Sequence, residues 1–138
     1  MGAMPRDGSA TRTRLLDAAE KLVEQQGFAA TSVDQILAAS KSSKGAFFHH
    51  FASKRELAHA LVARYVDADL AMLDDGLVAA TAVADPRERV LTFLRYYEDW
   101  AETLVGDTAC LYIAMLAERD LLDETTSAEM DRAMKGWR

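Results

Sequence analysis

The side chains best suited to binding chemistry lie in one short basic segment. Lys44 is followed by Gly45 and Ala46, and His49 and His50 come one helical turn later. Small residues allow a backbone to approach a ligand closely, and an ammonium group beside them supplies charge for a phosphate. This combination predicts contact with a polyanion, provided that the neighbouring elements expose the segment.

Two short helices joined by a tight turn are predicted to carry this segment. Ser32 and Gln35 have the spacing of a capping box, which starts a helix with Ile36 on its apolar face. The run from 40 to 43 contains turn-favouring residues, and Ser43 is expected to cap the second helix. The pattern is typical of a helix-turn-helix whose second helix enters the major groove of DNA.

Helical patterns account for the rest of the chain, which predicts an all-α fold. Each predicted helix has an apolar stripe at helical spacing, a capping residue, or both. The predicted ranges besides the helix-turn-helix are 11–26, 53 to about 80, 85–104, 108–118 and 127–135. Gly27 is expected to end the first of them, and Gly76 is a weak point in the long one.

Length and charge fit one domain, or one small domain plus part of another. The chain has 138 residues, half of them hydrophobic, and a net charge of −6. Residues 1–58 contain eight Lys/Arg and six Asp/Glu, a balance of +2, whereas residues 59–138 contain eight and sixteen, a balance of −8. We therefore expect DNA to meet the N-terminal end of an acidic protein.

Several classes of protein find no support in the sequence. It has no apolar run of membrane-spanning length, no signal peptide, no phosphate-binding glycine loop and no nucleophile elbow. His49 and His50 point about 100° apart on a helix and cannot readily share a metal. Cys110 is the single cysteine, which is typical of a cytoplasmic protein. Because the motifs named above are missing, we expect a protein that is not an enzyme and has no cofactor, metal or membrane partner.

Residues 11–58 resemble the DNA-binding domain of the tetracycline-repressor (TetR) family. The resemblance covers a contiguous order of features rather than one short signature. These are the first helix, Gly27-Phe28, Thr31-Ser32-Val33, Ile36, Ser43-Lys44-Gly45, an aromatic residue at 48, His50-Phe51, Ser53-Lys54 and Leu57.

The resemblance implies a bacterial transcriptional regulator, usually a repressor, that binds a palindromic operator in double-stranded DNA as a homodimer. A small-molecule effector would bind the C-terminal helices and change the spacing of the two DNA-binding domains. The DNA-binding residues implied are Thr31, Ser32, Ser43, Lys44, Gly45, Ala46, Phe47, His49, His50 and Lys54. Thr31 and Ser32 would cap the second helix and touch phosphate, and Phe47 and His49 would face the DNA.

Three features depart from the family pattern. Lys41 occupies a turn position where glycine is common, so it is expected to adopt a positive φ. Phe48 replaces a frequent tyrosine and lacks the hydroxyl that would bind phosphate, which leaves a purely core role open. The last two helices of the family, which form the dimer interface, are missing, so the chain is either a fragment or a protein that dimerises elsewhere.

An effector pocket is predicted from a group of aromatic and sulfur-containing side chains in the C-terminal half. Apolar walls with a few hydroxyl groups suit a small organic ligand, although each residue alone is equally consistent with a packed core. The group comprises Phe93, Tyr96, Tyr97, Trp100, Cys110 and Met115. Cys110 is read as a small buried residue, with a redox sensor as the alternative.

The predicted organisation has three parts. Residues 1–10 form a disordered tail or a cloning remnant, residues 11–58 form the helix-turn-helix domain, and residues 59–138 form an incomplete helical regulatory domain. The competing hypothesis is a helical protein-interaction or adaptor module whose helix-turn-helix does not bind DNA. These two hypotheses differ in the salt dependence of duplex binding.

Overall fold

The computed structural model describes residues 8–104, 111–118 and 121–138. Within these residues the secondary structure is helical throughout, as the sequence predicts. The helices are α1 Gly8–Gln26, α2 Val33–Ser40, α3 Lys44–His50, α4 Lys54–Thr81, α5 Pro86–Leu104, α6 Leu111–Leu116 and α7 Glu124–Gly136.

The helix boundaries follow from local capping groups. The Ser53 hydroxyl accepts a hydrogen bond from the Glu56 N–H at the start of α4, and the Asp85 carboxylate accepts two at the start of α5. The final helix begins three residues before the predicted Ser127, because Asp123 caps it by accepting from the Thr126 N–H. The predicted helix 108–118 is observed as α6, and its first three positions lie outside the described residues.

The N-terminal domain is a three-helix unit built around aromatic and aliphatic side chains. Phe47 and Phe51 from the α3 segment pack with Ile36 of α2 and Leu15 of α1, and all four are almost completely buried. Burial of a large apolar side chain contributes roughly 1.5–3 kcal/mol, so this core fixes the angle between the two helices of the motif.

The long helix α4 connects this domain to the rest of the chain. Leu57 and Leu61 near its start belong to the same core as α1–α3, which also includes Ala133 of α7, and α5 packs on α4 as well. Gly76 does not break the helix: a Cβ at this position would lie 3.0 Å from the Tyr96 ring and 3.1 Å from the Phe93 ring. The glycine thus permits close packing of α5 on α4.

Candidate nucleic-acid interface

The start of α2 has the predicted capping box. The Ser32 hydroxyl accepts from the Gln35 N–H at 3.1 Å, and the Gln35 side chain accepts from the Ser32 N–H at 2.9 Å. Two amide groups that the helix cannot satisfy are thereby paired, and Ser32 stays exposed beside them.

The turn between the two helices reverses direction at Lys41. This residue has φ 52° and ψ 41°, in the left-handed region, as the sequence predicts. Its N–H donates to the Ala38 carbonyl at 3.3 Å, and the Ser42 N–H donates to the Leu37 carbonyl at 3.1 Å. The turn therefore closes α2 as a left-handed cap and directs the chain into α3.

The leading end of α3 projects from the domain. The Ser43 hydroxyl caps the helix by accepting from the Ala46 N–H at 3.1 Å. Ser43, Lys44 and Gly45 are exposed, and a Cβ at Gly45 would meet no atom within 4 Å. The exposed first turn thus combines a cation with space for a close approach.

The predicted outward orientation of Phe47 is wrong. Its side chain is 0% exposed and packs edge-on against the Phe48 ring and at a tilt to the Phe51 ring. Phe48 is 49% exposed, so it does not have the purely core role left open for it. Adjacent residues on a helix point about 100° apart. With Phe47 buried, Phe48 faces outward together with His49.

The predicted phosphate contact of the Thr31 side chain is also wrong. Thr31 is 1% exposed, and its hydroxyl donates to the Gly27 carbonyl at 2.8 Å. Ser32 alone is the N-cap of α2. Thr31 therefore fixes the connection between α1 and α2 from inside the domain.

Three further basic groups lie close to the motif. Lys54, at the first turn of α4, places its Nζ 4.2 Å from the centre of the Phe28 ring. His50 is half-buried between the His49 and Phe51 rings. Arg12 lies 5.3 Å from the centre of the Phe51 ring, and its position beside α3 depends on tertiary packing that the sequence pattern did not reveal.

The predicted pocket residues fall into two separate places. Phe93 and Tyr96 cover Gly76, while Tyr97 contacts the rings of Trp100 and Trp137 at centroid distances of 5.9 and 6.0 Å. Met115 is buried apart from this aromatic group, in the core that includes α1 and the start of α4. Cys110 lies outside the described residues. The four predicted aromatic residues therefore lie along α5, in two contact groups, and Met115 lies elsewhere in the core.

A cleft of about 460 Å³ opens beside α1 and the end of α2. Its lining includes the basic residues Arg14, Lys21 and Lys41 around an apolar floor with Leu22. None of the predicted effector-pocket residues lines it. Among the described residues, no group of three or more His, Cys, Asp or Glu side chains could hold a metal ion.

Comparison with known proteins decides the family of this domain. The profile for bacterial regulatory proteins of the tetR family matches residues 15–61. This range begins within α1 and ends in the first turns of α4. This segment belongs to the tetR family.

Curated relatives support the tetR assignment. The HTH-type transcriptional regulator UidR of Escherichia coli is 36% identical over 62 residues, which are 45% of this chain and 32% of UidR. The HTH-type transcriptional regulator BetI of Rhizobium meliloti is 28% identical over 113 residues, which are 82% of this chain and 54% of BetI. The chain thus spans about a third to a half of the length of these relatives.

Solved structures extend the similarity over nearly the whole chain. The reduced form of E. coli NemR superimposes with a TM-score of 0.73 at 28% identity, covering 92% of this chain and 65% of NemR. The regulatory protein TetR from Rhodobacter sphaeroides has a TM-score of 0.72 at 24% identity, which shows the common fold. Both likenesses include the helices that follow the tetR DNA-binding domain.

The chain has no membrane-crossing helix among its described residues. Even its long helices, α1, α4 and α5, lack an apolar window of sufficient length and hydropathy.

Proposed function

We propose that this tetR-family chain is a DNA-binding transcriptional regulator, acting as a repressor, whose α3 helix enters the major groove of an operator. The observation that carries the proposal is that α3 has one buried side and an exposed leading end. Phe47 holds its rear in the core, whereas Ser43, Lys44 and Gly45 at its leading end are exposed. A rigid support behind an open, basic helix end is the geometry that groove binding requires.

The exposed groups divide into two roles. Ser32, Ser43 and Lys44 offer hydroxyl, amide and ammonium donors for phosphate, which fix the position of the domain on the duplex. Gly45 and Ala46 are small enough for base edges, with the Ala46 methyl group suited to a thymine methyl. His49 is exposed further along the same helix, and we assign it to the DNA-facing surface.

His50 and Lys54 are proposed to contact the DNA backbone at the side of the groove. Both are half-buried, so part of each side chain stays accessible. Their contacts depend less on base identity than those of α3, because they reach phosphate rather than base edges.

The test is the salt dependence of binding to a random-sequence duplex. Each phosphate neutralised adds roughly 0.9 to the steepness of log Kobs against log salt. Lys44→Ala is expected to weaken binding to all sequences and to reduce this slope by about 0.9. Lys135→Ala, which removes the same charge from the exposed side of α7, is the control and should leave the slope unchanged. Equal slopes for the two variants would refute the assignment of α3.

We further infer that two copies bind a palindromic operator, one half-site each. Half-sites read by helix-turn-helix dimers lie one helical turn apart, which matches the two-fold symmetry of the protein. The stoichiometry of the complex on an operator, measured by sedimentation, tests this inference. A single copy per operator would contradict it.

The proposed effector is a small, largely apolar molecule that binds among the aromatic residues of α5. Phe93, Tyr96 and Trp100 are each only partly buried, and Tyr97 is exposed, so the group offers accessible ring surface. Cys110 and Met115 are not included in this proposal, because Met115 is buried in the core with α1 and Cys110 lies outside the described residues. A thermal-shift screen tests the idea, since a ligand that binds the folded state alone raises its stability.

A further inference from the structure

The end of α6 reaches across the molecule to the N-terminal domain. Glu118 follows α6, and its Oε1 accepts a hydrogen bond of 3.1 Å from the N–H of Ala29. Ala29 lies in the connection between α1 and α2, just before the Ser32 cap. A Cβ at Gly27, which has φ 83°, would lie 3.7 Å from the same carboxylate oxygen. One carboxylate thus rests directly on the turn that precedes the helix-turn-helix.

The same carboxylate lies near a basic group proposed to bind phosphate. Lys54 sits above the Phe28 ring, and Phe28 directly precedes Ala29 in the turn. Partial burial lowers the pKa of Lys54, and the negative charge of Glu118 opposes that change. Glu118 and Lys54 thus contact adjacent residues of the same turn, the carboxylate at the Ala29 N–H and the ammonium at the Phe28 ring.

A second carboxylate from the same region binds the next turns of α4. Asp123 Oδ2 lies 2.7 Å from His59 Nε2 and 3.5 Å from an Arg55 guanidinium nitrogen. Its other oxygen caps α7 through the Thr126 N–H. Asp123 is thus attached to two basic side chains near the beginning of α4.

We propose that Glu118 is a positioning residue for DNA binding, which anchors the α1–α2 turn through Ala29 and weakens the contact of Lys54 with phosphate. The proposal rests on the DNA-binding function proposed above. Its physical basis is that one carboxylate performs two separable tasks. The hydrogen bond needs only an acceptor oxygen, whereas the effect on Lys54 needs the negative charge.

Glu118→Gln separates these tasks because it keeps a carbonyl oxygen and removes the charge. We expect this variant to bind a fluorescein-labelled random duplex more tightly than the parent, with a salt slope steeper by about 0.9 if one more phosphate is neutralised fully. With that slope, the affinity of the variant relative to that of the parent rises about 3.5-fold for each fourfold decrease in salt concentration. Glu98→Gln removes the same charge from an exposed position on α5 and is the matched control.

Amide hydrogen exchange at Ala29 measures the anchoring task without DNA. Glu118→Ala is expected to accelerate exchange at Ala29, whereas Glu118→Gln retains protection. Unchanged exchange in Glu118→Ala would overturn the anchoring role, and equal salt slopes for Glu118→Gln and Glu98→Gln would overturn the effect on Lys54. If the parent bound no duplex, the proposed function and the charge effect would both fall, while exchange at Ala29 would still decide the anchoring role.

Discussion

The left-handed backbone conformation of Lys41, in the turn before α3, leads to a prediction about stability. Lys41 has a positive φ that glycine adopts without steric cost, whereas a residue with a Cβ does not. Replacing it with glycine should relieve strain, although glycine destabilises most helical positions. Lys41→Ala is the necessary reference, since it removes the same charged side chain and keeps the Cβ.

The expected difference follows from two opposing effects. The left-handed conformation costs a residue with a Cβ about 1–2 kcal/mol. Glycine gives the unfolded chain more freedom, which costs about 0.4–1 kcal/mol relative to alanine. Lys41→Gly should therefore be more stable than Lys41→Ala by about 0.5–1 kcal/mol. At the exposed Lys21, within α1, the order should reverse, with glycine less stable than alanine by about 1 kcal/mol.

Urea denaturation of the four variants measures these differences. The glycine-minus-alanine free energy of unfolding is expected to be positive at 41 and negative at 21, so the two positions differ by about 1.5–2 kcal/mol. Because glycine is compared with alanine at both positions, effects that are common to any glycine substitution cancel between them. A negative difference at Lys41 would refute the conclusion that this turn is strained.

Three further predictions concern the core, the caps and the acid stability of the fold. Phe47→Ala should lower the free energy of unfolding by about 3–5 kcal/mol, whereas Phe48→Ala should change it by less than about 1 kcal/mol; similar losses in thermal denaturation would contradict the assigned orientations. Ser43→Ala should cost about 1 kcal/mol through loss of the α3 cap, and a circular-dichroism melt indistinguishable from that of the parent would argue against the cap. The hydrogen bond from the Thr126 N–H, aided by His59, lowers the pKa of Asp123 from 3.8 to about 2. The ionised Asp123 therefore stabilises the fold above the unfolded pKa, and this stabilisation is lost as the pH falls from 3.8 to about 2. The free energy of unfolding of Asp123→Asn should depend less on pH in this range. An acid-unfolding profile identical to that of the parent would contradict this role.

Local chemistry explains why most helix starts were predictable from the sequence. The capping box of Ser32 and Gln35 and the caps Ser43 and Asp85 involve residues no more than three positions apart, so each leaves a signature in the sequence. The positive φ of Lys41 was predictable from the family resemblance, because the residue occupies a turn position where glycine is common.

Tertiary packing explains what could not be predicted. Phe47 and Phe48 are chemically identical neighbours, and only the position of the α1 core decides which one is buried. The family resemblance implied a phosphate contact for Thr31, yet its hydroxyl donates to the Gly27 carbonyl within the domain. The contact of Glu118 with Ala29 joins residues 89 positions apart, which no local pattern records.

The pocket prediction illustrates a similar limit. Helical spacing predicts which aromatic residues of α5 share a face, because it depends only on positions along one helix. It could not place Met115, whose burial depends on the packing of α6 against α1 and α4 rather than against α5. The effector site therefore remains a prediction based on α5 alone.

The central claim is that the leading end of α3 meets DNA, and amide chemical shifts recorded during titration with a duplex test it most directly. We expect the largest changes at the amides of Ser43, Lys44, Gly45 and Ala46, with small changes along α5 and α7. Changes concentrated on α5 or α7, with the amides of 43–46 unaffected, would contradict the claim and favour a protein whose helix-turn-helix does not bind DNA.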